Sequence, residues 1–258
     1  MDKVNRIFDQ LDDWRHLPTY QLERRADIFF SLYLREILQE STGEEIHEVI
    51  IPEFPLYQSA LDAGKKDNRH YCADYLAFSR DMKQAFFIEL KTDPNSSNSN
   101  QNYYLQQSKK VGLAKLLESS LSVFLPLEDK KPKKMNRQAR KKRFHLLRKL
   151  EAIGLISGLE HAAEFIAREH HKGFTKAMSE ARITPTDARI SVACIHPNQI
   201  PSNKPDKKGV SEENSFDIWI PFKRALEVVK EHPDQLSQRF ARSLNEWAEH
   251  AAGSRITL

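Results

Sequence analysis

The chain is short of cysteine and glycine, and both shortages exclude something. Its two cysteines, Cys72 and Cys194, sit in separate apolar stretches and form no CxxC pair. That leaves no disulfide framework and no thiolate metal site, and it fits a reducing compartment. Eight glycines are too few for a fold made of many tight β-turns, and none is arranged as GxxxxGK[ST] or GxGxxG. A nucleotide-phosphate loop is therefore excluded, so any motor function would have to come from a separate partner protein. No apolar run approaches the roughly twenty residues of a membrane-spanning helix. The first residues, MDKVNRIFDQLDDWRH, are charged throughout and lack the apolar stretch of a signal peptide. The expectation is a cytoplasmic protein with no membrane partner.

What is present suffices for a packed core, since 40% of the residues are hydrophobic and 9% aromatic. Forty basic residues against 36 acidic ones leave a formal charge of +4. That total is too small to name a partner, so the distribution matters more. Residues 130–149, KKPKKMNRQARKKRFHLLRK, are dominated by lysine and arginine and contain no acid.

Periodicity gives the element order. Residues 20–40 read as a helix with Phe30, Leu34 and Ile37 on one stripe, widened by Ile28, Phe29 and Leu32 and stopped near Gly43. Residues 46–51 read as a strand, broken by Pro52 and Pro55, and 56–70 as an exposed loop. The runs 71–79 and 84–92 alternate around a short polar connection and form a hairpin. Residues 102–120 read as one helix. The basic segment leads into a helix through Leu155, and another spans 158–170. Residues 189–195 form a β-branched strand, 197–215 a polar loop and 216–222 a last strand. Residues 233–251 form a helix with Leu236, Phe240, Leu244 and Trp247 on one face. This order predicts a single α/β domain, a sandwich around a mixed sheet. Its core falls in 20–120 and 189–222, with a basic helical insert over about 128–175.

Chemistry concentrates in the hairpin. Glu89 and Lys91 are two apart on a strand and point to one side, while Leu90 points to the other. Asp74 lies on the opposing strand. Placing two acids and a lysine among CADYLAF and AFFIELK is costly without a purpose. Adjacent carboxylates repel, and a divalent cation removes that cost. Oxygen ligands with open positions suit Mg²⁺ or Mn²⁺. Such an ion polarises a phosphodiester and acidifies an attacking water.

Asp74 followed by Glu89-Leu90-Lys91, on adjacent strands after a helix and a strand, resembles the PD-(D/E)XK nuclease superfamily. The resemblance covers roughly residues 20–120 plus the strand at 189–195. It implies a restriction-endonuclease-like three-layer sandwich, with a central mixed sheet flanked by helices. It also implies a metal-dependent nuclease, acting on DNA in preference to RNA, in which Asp74 and Glu89 bind metal and Lys91 assists the water. Ala73 stands where the family pattern has proline. Some members carry a further acid on the first helix. Glu23 and Asp27 continue the apolar stripe while Glu36 does not, and Glu23 is the favoured metal ligand, with Glu53 another candidate. The helix after the motif offers Gln106 and Lys110 as phosphate contacts. In the basic segment, Arg137, Arg140, Lys141 and Arg148 fall on nearby helical turns, placed to neutralise nucleic-acid phosphates. Many such nucleases act as dimers, so a homodimer is a further expectation.

Two rival readings stay open. One is a catalytically silent nucleic-acid-binding or protein-interaction module on the same fold. The other is an unrelated α/β protein in which Asp74, Glu89 and Lys91 form a structural ion-pair network. His170, His171 and His196 match no zinc pattern and read as a helix-end pair and a strand-end histidine.

Overall fold

A computed structural model of the chain describes residues 2–17, 21–62, 69–93, 99–124, 137–167, 173–201 and 215–253. The calls on 130–136, on the His170-His171 pair and on most of the 197–215 loop lie outside these residues. Among the described residues no helix is long and apolar enough to cross a membrane.

Five strands form one mixed sheet: β1 (Ile51–Tyr57), β2 (His70–Phe78), β3 (Gln84–Leu90), β6 (Arg189–His196) and β7 (Ile218–Pro221), side by side in that order. A two-stranded pair, β4 (Ile156–Ser157) and β5 (Arg182–Ile183), lies apart from it. β1 pairs antiparallel with β2 and β2 with β3, whereas β3 pairs parallel to β6 and β6 parallel to β7. β3 is therefore central and buried on both sides, and its side chains alternate between two cores. Ala85 and Phe87 enter one, and Phe86, Ile88 and Leu90 enter the other.

The first core is closed by α4 (Ser99–Val111), α5 (Leu113–Ser122) and α6 (Arg137–Ala152), with α7 (Glu160–Ala167) and α8 (Phe174–Met178) behind them. Phe144, Leu147 and Leu150 of the basic helix α6 are buried in it, so the 128–175 region contributes to the main core as well as to the surface. The second core is closed by α1 (Lys3–Trp14), α2 (Glu23–Thr42), α9 (Phe222–Val229) and α10 (Gln235–Gly253). Helices thus cover both faces of the sheet, as the α/β sandwich reading expects.

Several boundaries differ from the sequence reading. Phe30, Leu34 and Ile37 are fully buried, but Ile28 and Leu32 are 61% and 55% exposed, and Ala26, Tyr33 and Leu38 widen the stripe instead. Of residues 46–51, Ile46 makes an isolated bridge to Ser79 and only Ile51 enters the sheet. The first strand instead runs through Pro52 and Pro55, followed by the short helix α3 (Gln58–Leu61). An edge strand tolerates proline because one row of its N–H groups has no ladder to join. The expected helix over 102–120 is two helices, broken at Gly112, whose φ of +83° favours glycine. The sequence reading also passed over α1 and α9.

One irregularity positions the site. Ile51 and Phe54 are three apart yet face the same core, and so do their partners Leu76 and Ala73. Both strands therefore step out of phase together between these pairs, where Glu53 adopts φ +53°, uncommon for a side-chain-bearing residue. Pairing of β2 with β3 ends at Tyr75 opposite Ile88. Asp74 is the next residue, and its carboxylate takes over, accepting from the Leu90 backbone N–H at 2.7 Å.

Candidate active site

Leu90 is packed in the second core, so its neighbours Glu89 and Lys91 turn to the opposite side, where the Lys91 ammonium donates to Glu89 Oε1. Glu89 has no exposure and Lys91 is 6% exposed. Asp74 reaches the same place from β2 through its bond to Leu90.

Gln101, in the first turn of α4, closes the cluster. Its amide donates to Glu89 Oε2 at 2.6 Å and to the Cys72 carbonyl at 3.3 Å, and its carbonyl accepts from Lys91 Nζ at 3.4 Å. Sequence reasoning missed it. The expected helix began at 102, one residue too late, and attention went to Gln106, whose amide instead donates to the Ser215 carbonyl. Lys110 is exposed on α4, and Lys109 pairs with Asp217.

Three carboxyls, Glu23, Asp74 and Glu89, surround one lysine, and burial raises all three. Burial pushes the Asp74 carboxyl up to about 7; the Leu90 N–H opposes this, and Glu23 adds to it. Burial, then Asp74, raises Glu89 well above the ordinary range despite Lys91. Burial disfavours the Lys91 ammonium, but Glu89, then Glu23 and Asp74, outweigh it and hold its pKa above the usual value. Glu23 is itself raised by burial, with Lys91 the strongest opposing charge. The structure thus brings Glu23 of α2 into the field of Asp74, Glu89 and Lys91. Glu53 also acts on Asp74, and it bonds the Cys72 thiol, which burial and Glu53 push up to about 12 and keep protonated. The other two candidates on α2 fall elsewhere. Asp27 is exposed and caps its own neighbour's N–H, and Glu36 pairs with His232.

The donor set fits a hard divalent cation. Buried carboxylate oxygens with raised proton affinity lack positive charge, which a proton or a metal ion supplies. Among the described residues no three His, Cys, Asp or Glu side chains are grouped to hold an ion. An ion here would find two carboxylates, Asp74 and Glu89, and its remaining positions would go to water or substrate oxygens.

The basic helix is partly engaged in packing. Arg140 lies over the Phe174 ring at 5.4 Å, and Arg143 over Tyr57 at 5.9 Å. Arg148 pairs with Glu151, and Lys141 is exposed. Arg137 begins α6, with its side chain outside the described residues. His196, at the end of β6, is buried beside the cluster.

No family model matches the chain, and neither a curated protein nor a solved structure matches it.

Proposed function

We propose that the protein is a Mg²⁺- or Mn²⁺-dependent nuclease of the PD-(D/E)XK type, with a restriction-endonuclease-like fold, hydrolysing phosphodiester bonds in DNA in preference to RNA. One observation carries this reading. Asp74, Glu89 and Lys91 converge where β2 leaves β3, in a site whose acids outnumber its base.

Asp74 and Glu89 would hold the ion, with Glu23 near enough to add charge. When bound, the ion would polarise the phosphodiester and lower the pKa of a water. Lys91 is held charged, so its part is to orient the attacking water and to stabilise negative charge growing on the phosphate. Glu89 fixes the ammonium, and Gln101 fixes Glu89. The raised carboxyl of Asp74 must lose its proton before it can ligate, which favours activity above neutral pH. The exposed lysines and arginines of α6 supply sequence-independent contact with the backbone.

The test is incubation of the purified chain with single-stranded, duplex and circular DNA and with RNA, in EDTA, Mg²⁺ or Mn²⁺. Cleavage that requires metal and disappears in folded Asp74→Asn and Lys91→Ala variants is the expected result. Wild-type protein that leaves every substrate intact in both metals would refute the reading.

A second reading has its own observation. Both oxygens of Glu89 are already satisfied within the protein, by Lys91 and Gln101, as a purely structural network requires. On that reading Lys91→Ala loses folding stability and the wild type neither cuts nor binds metal.

A further inference from the structure

His196 is the strongest group in the molecule that the proposed chemistry leaves unused. β3 and β6 run parallel with Leu90 level with Ile195, and the Lys91 N–H donates to the Ile195 carbonyl at 2.9 Å. The next residue on β6, His196, therefore lies beside Lys91. Its ring packs against Trp219 of β7, with centroids 4.6 Å apart and the planes tilted by 34°.

The ring's tautomer is fixed. Nδ1 accepts from the Asn198 backbone N–H at 2.9 Å. The Asn198 carbonyl in turn accepts from the Trp219 indole at 3.0 Å, so the turn after β6 is tied to the ring from both ends. A neutral imidazole whose Nδ1 accepts carries its proton on Nε2. Burial, then the charge of Lys91, keeps the ring neutral, with its pKa pushed down to about 4. Nε2 is buried and, among the described residues, has no hydrogen-bond partner. Buried donors in native proteins are nearly always satisfied, so one held rigidly without a partner calls for an explanation.

The neighbour supplies it. Lys91 and His196 are both donors, and neither can accept from the other. An oxygen between them answers both, and an anionic oxygen answers best because Lys91 is charged. We propose that His196 is a substrate-binding residue whose Nε2–H donates to a non-bridging oxygen of the phosphate held beside Lys91. The proposal rests on the nuclease reading for the identity of that phosphate. His196 is 1% exposed, so the bond forms as the phosphate draws Lys91 away from Glu89 and opens the space beside the ring. The same movement frees Glu89 Oε1.

Two variants separate this role from a structural one. In His196→Asn the side-chain amide can replace Nδ1 and hold the turn, but nothing replaces Nε2. In His196→Gln the amide nitrogen reaches the Nε2 position and the Nδ1 contact is lost. The full chain, labelled with ¹⁵N-histidine, is titrated with inorganic phosphate in EDTA, and the His196 resonances are identified by their absence from His196→Gln. DNA affinity in EDTA and metal-dependent cleavage are measured alongside, with circular dichroism to check folding. Phosphate is expected to shift the wild-type His196 Nε2–H resonance. DNA affinity is expected to fall roughly ten- to a hundredfold in His196→Asn, the loss typical of a hydrogen bond to a charged group, and far less in His196→Gln.

His196→Asn that binds DNA in EDTA like the wild type would overturn the proposal, whether or not the nuclease reading stands. A wild-type His196 phosphate shift together with DNA affinity lost in His196→Asn, without cleavage by the wild type, would keep the phosphate site and discard the nuclease. If His196→Asn does not fold, the wild-type phosphate shift decides alone: its presence supports the site and its absence ends it.

Discussion

Two charged networks can be compared among the described residues, and they differ in how deeply their acids are buried. The first joins α1 to α10. Arg239 donates to Asp9 at 2.8 Å, to Asp12 at 2.7 Å and to Ser243 at 2.7 Å, and the Trp247 indole completes Asp12 at 2.8 Å. The Arg239 guanidinium pays for its burial through those two acids, which hold its pKa above the ordinary value. The second network gathers Glu23, Asp74, Glu89 and Lys91, and its carboxyls are pushed up by burial first and then by one another's charge, with Lys91 opposing. The acids of the first network keep contact with solvent, which helps to compensate their charge. Buried acids that outnumber their one base are expected to receive positive charge from outside.

The comparison can be broken most decisively at Lys91 and Asp74. Lys91→Ala and Asp74→Asn are each expected to lower metal-dependent cleavage at least a hundredfold, on the order of what one electrostatic or acid–base group contributes. Retention of wild-type rates by either variant in single-turnover assays would return these residues to a structural role. In the Arg239 network the effect should fall on folding. Arg239→Met is expected to cost about 2 to 4 kcal/mol in urea unfolding, less than a fully buried pair would lose, because Asp9 is half exposed. Its response to Mg²⁺ should remain that of the wild type.

The pH dependence sharpens the contrast. The Asp74 carboxyl titrates at about 7 in the folded protein, above its unfolded value, so the folded state holds that proton more tightly. Its ionisation costs stability as pH rises from about 4, and the cost is complete above about 7. In EDTA, Asp74→Asn is therefore expected to gain roughly 4 kcal/mol on the wild type at pH 8 and almost nothing at pH 4. A constant difference across that range in thermal or urea unfolding would show that the carboxyl is not perturbed. Glu23→Gln should have the smallest effect, a few-fold loss of cleavage with a modest gain in metal-free stability at pH 8, because Glu23 is only partly buried.

Much of the sheet and the central triad was legible in the sequence. Period-two alternation in QAFFIEL places Leu90 in one core and Glu89 on the other side, as the structure has it. The stripe of Phe30, Leu34 and Ile37 marked the buried face of α2, and Glu23 followed from continuing it. Other features depend on contacts that no local pattern encodes. The strand through Pro52 and Pro55 reads as broken because local rules cannot see that it is an edge. Gln101 matters only because α4 begins early enough to aim it at Glu89. His196 acquires an unpartnered donor only once Asn198 and Trp219 fix its ring. Gly112 stands inside a helical period, and that periodicity concealed the break it makes.

The most direct test of the imbalance is calorimetric titration of Mn²⁺ into the wild type and Asp74→Asn near pH 7, in two buffers of different ionisation enthalpy so that proton release is counted. The wild type is expected to bind Mn²⁺ with release of a fraction of a proton to about one proton, because the Asp74 carboxyl must ionise to ligate, and Asp74→Asn is expected to lose both the binding and the release. Equal binding by the two proteins, or none by the wild type at millimolar Mn²⁺, would contradict the account.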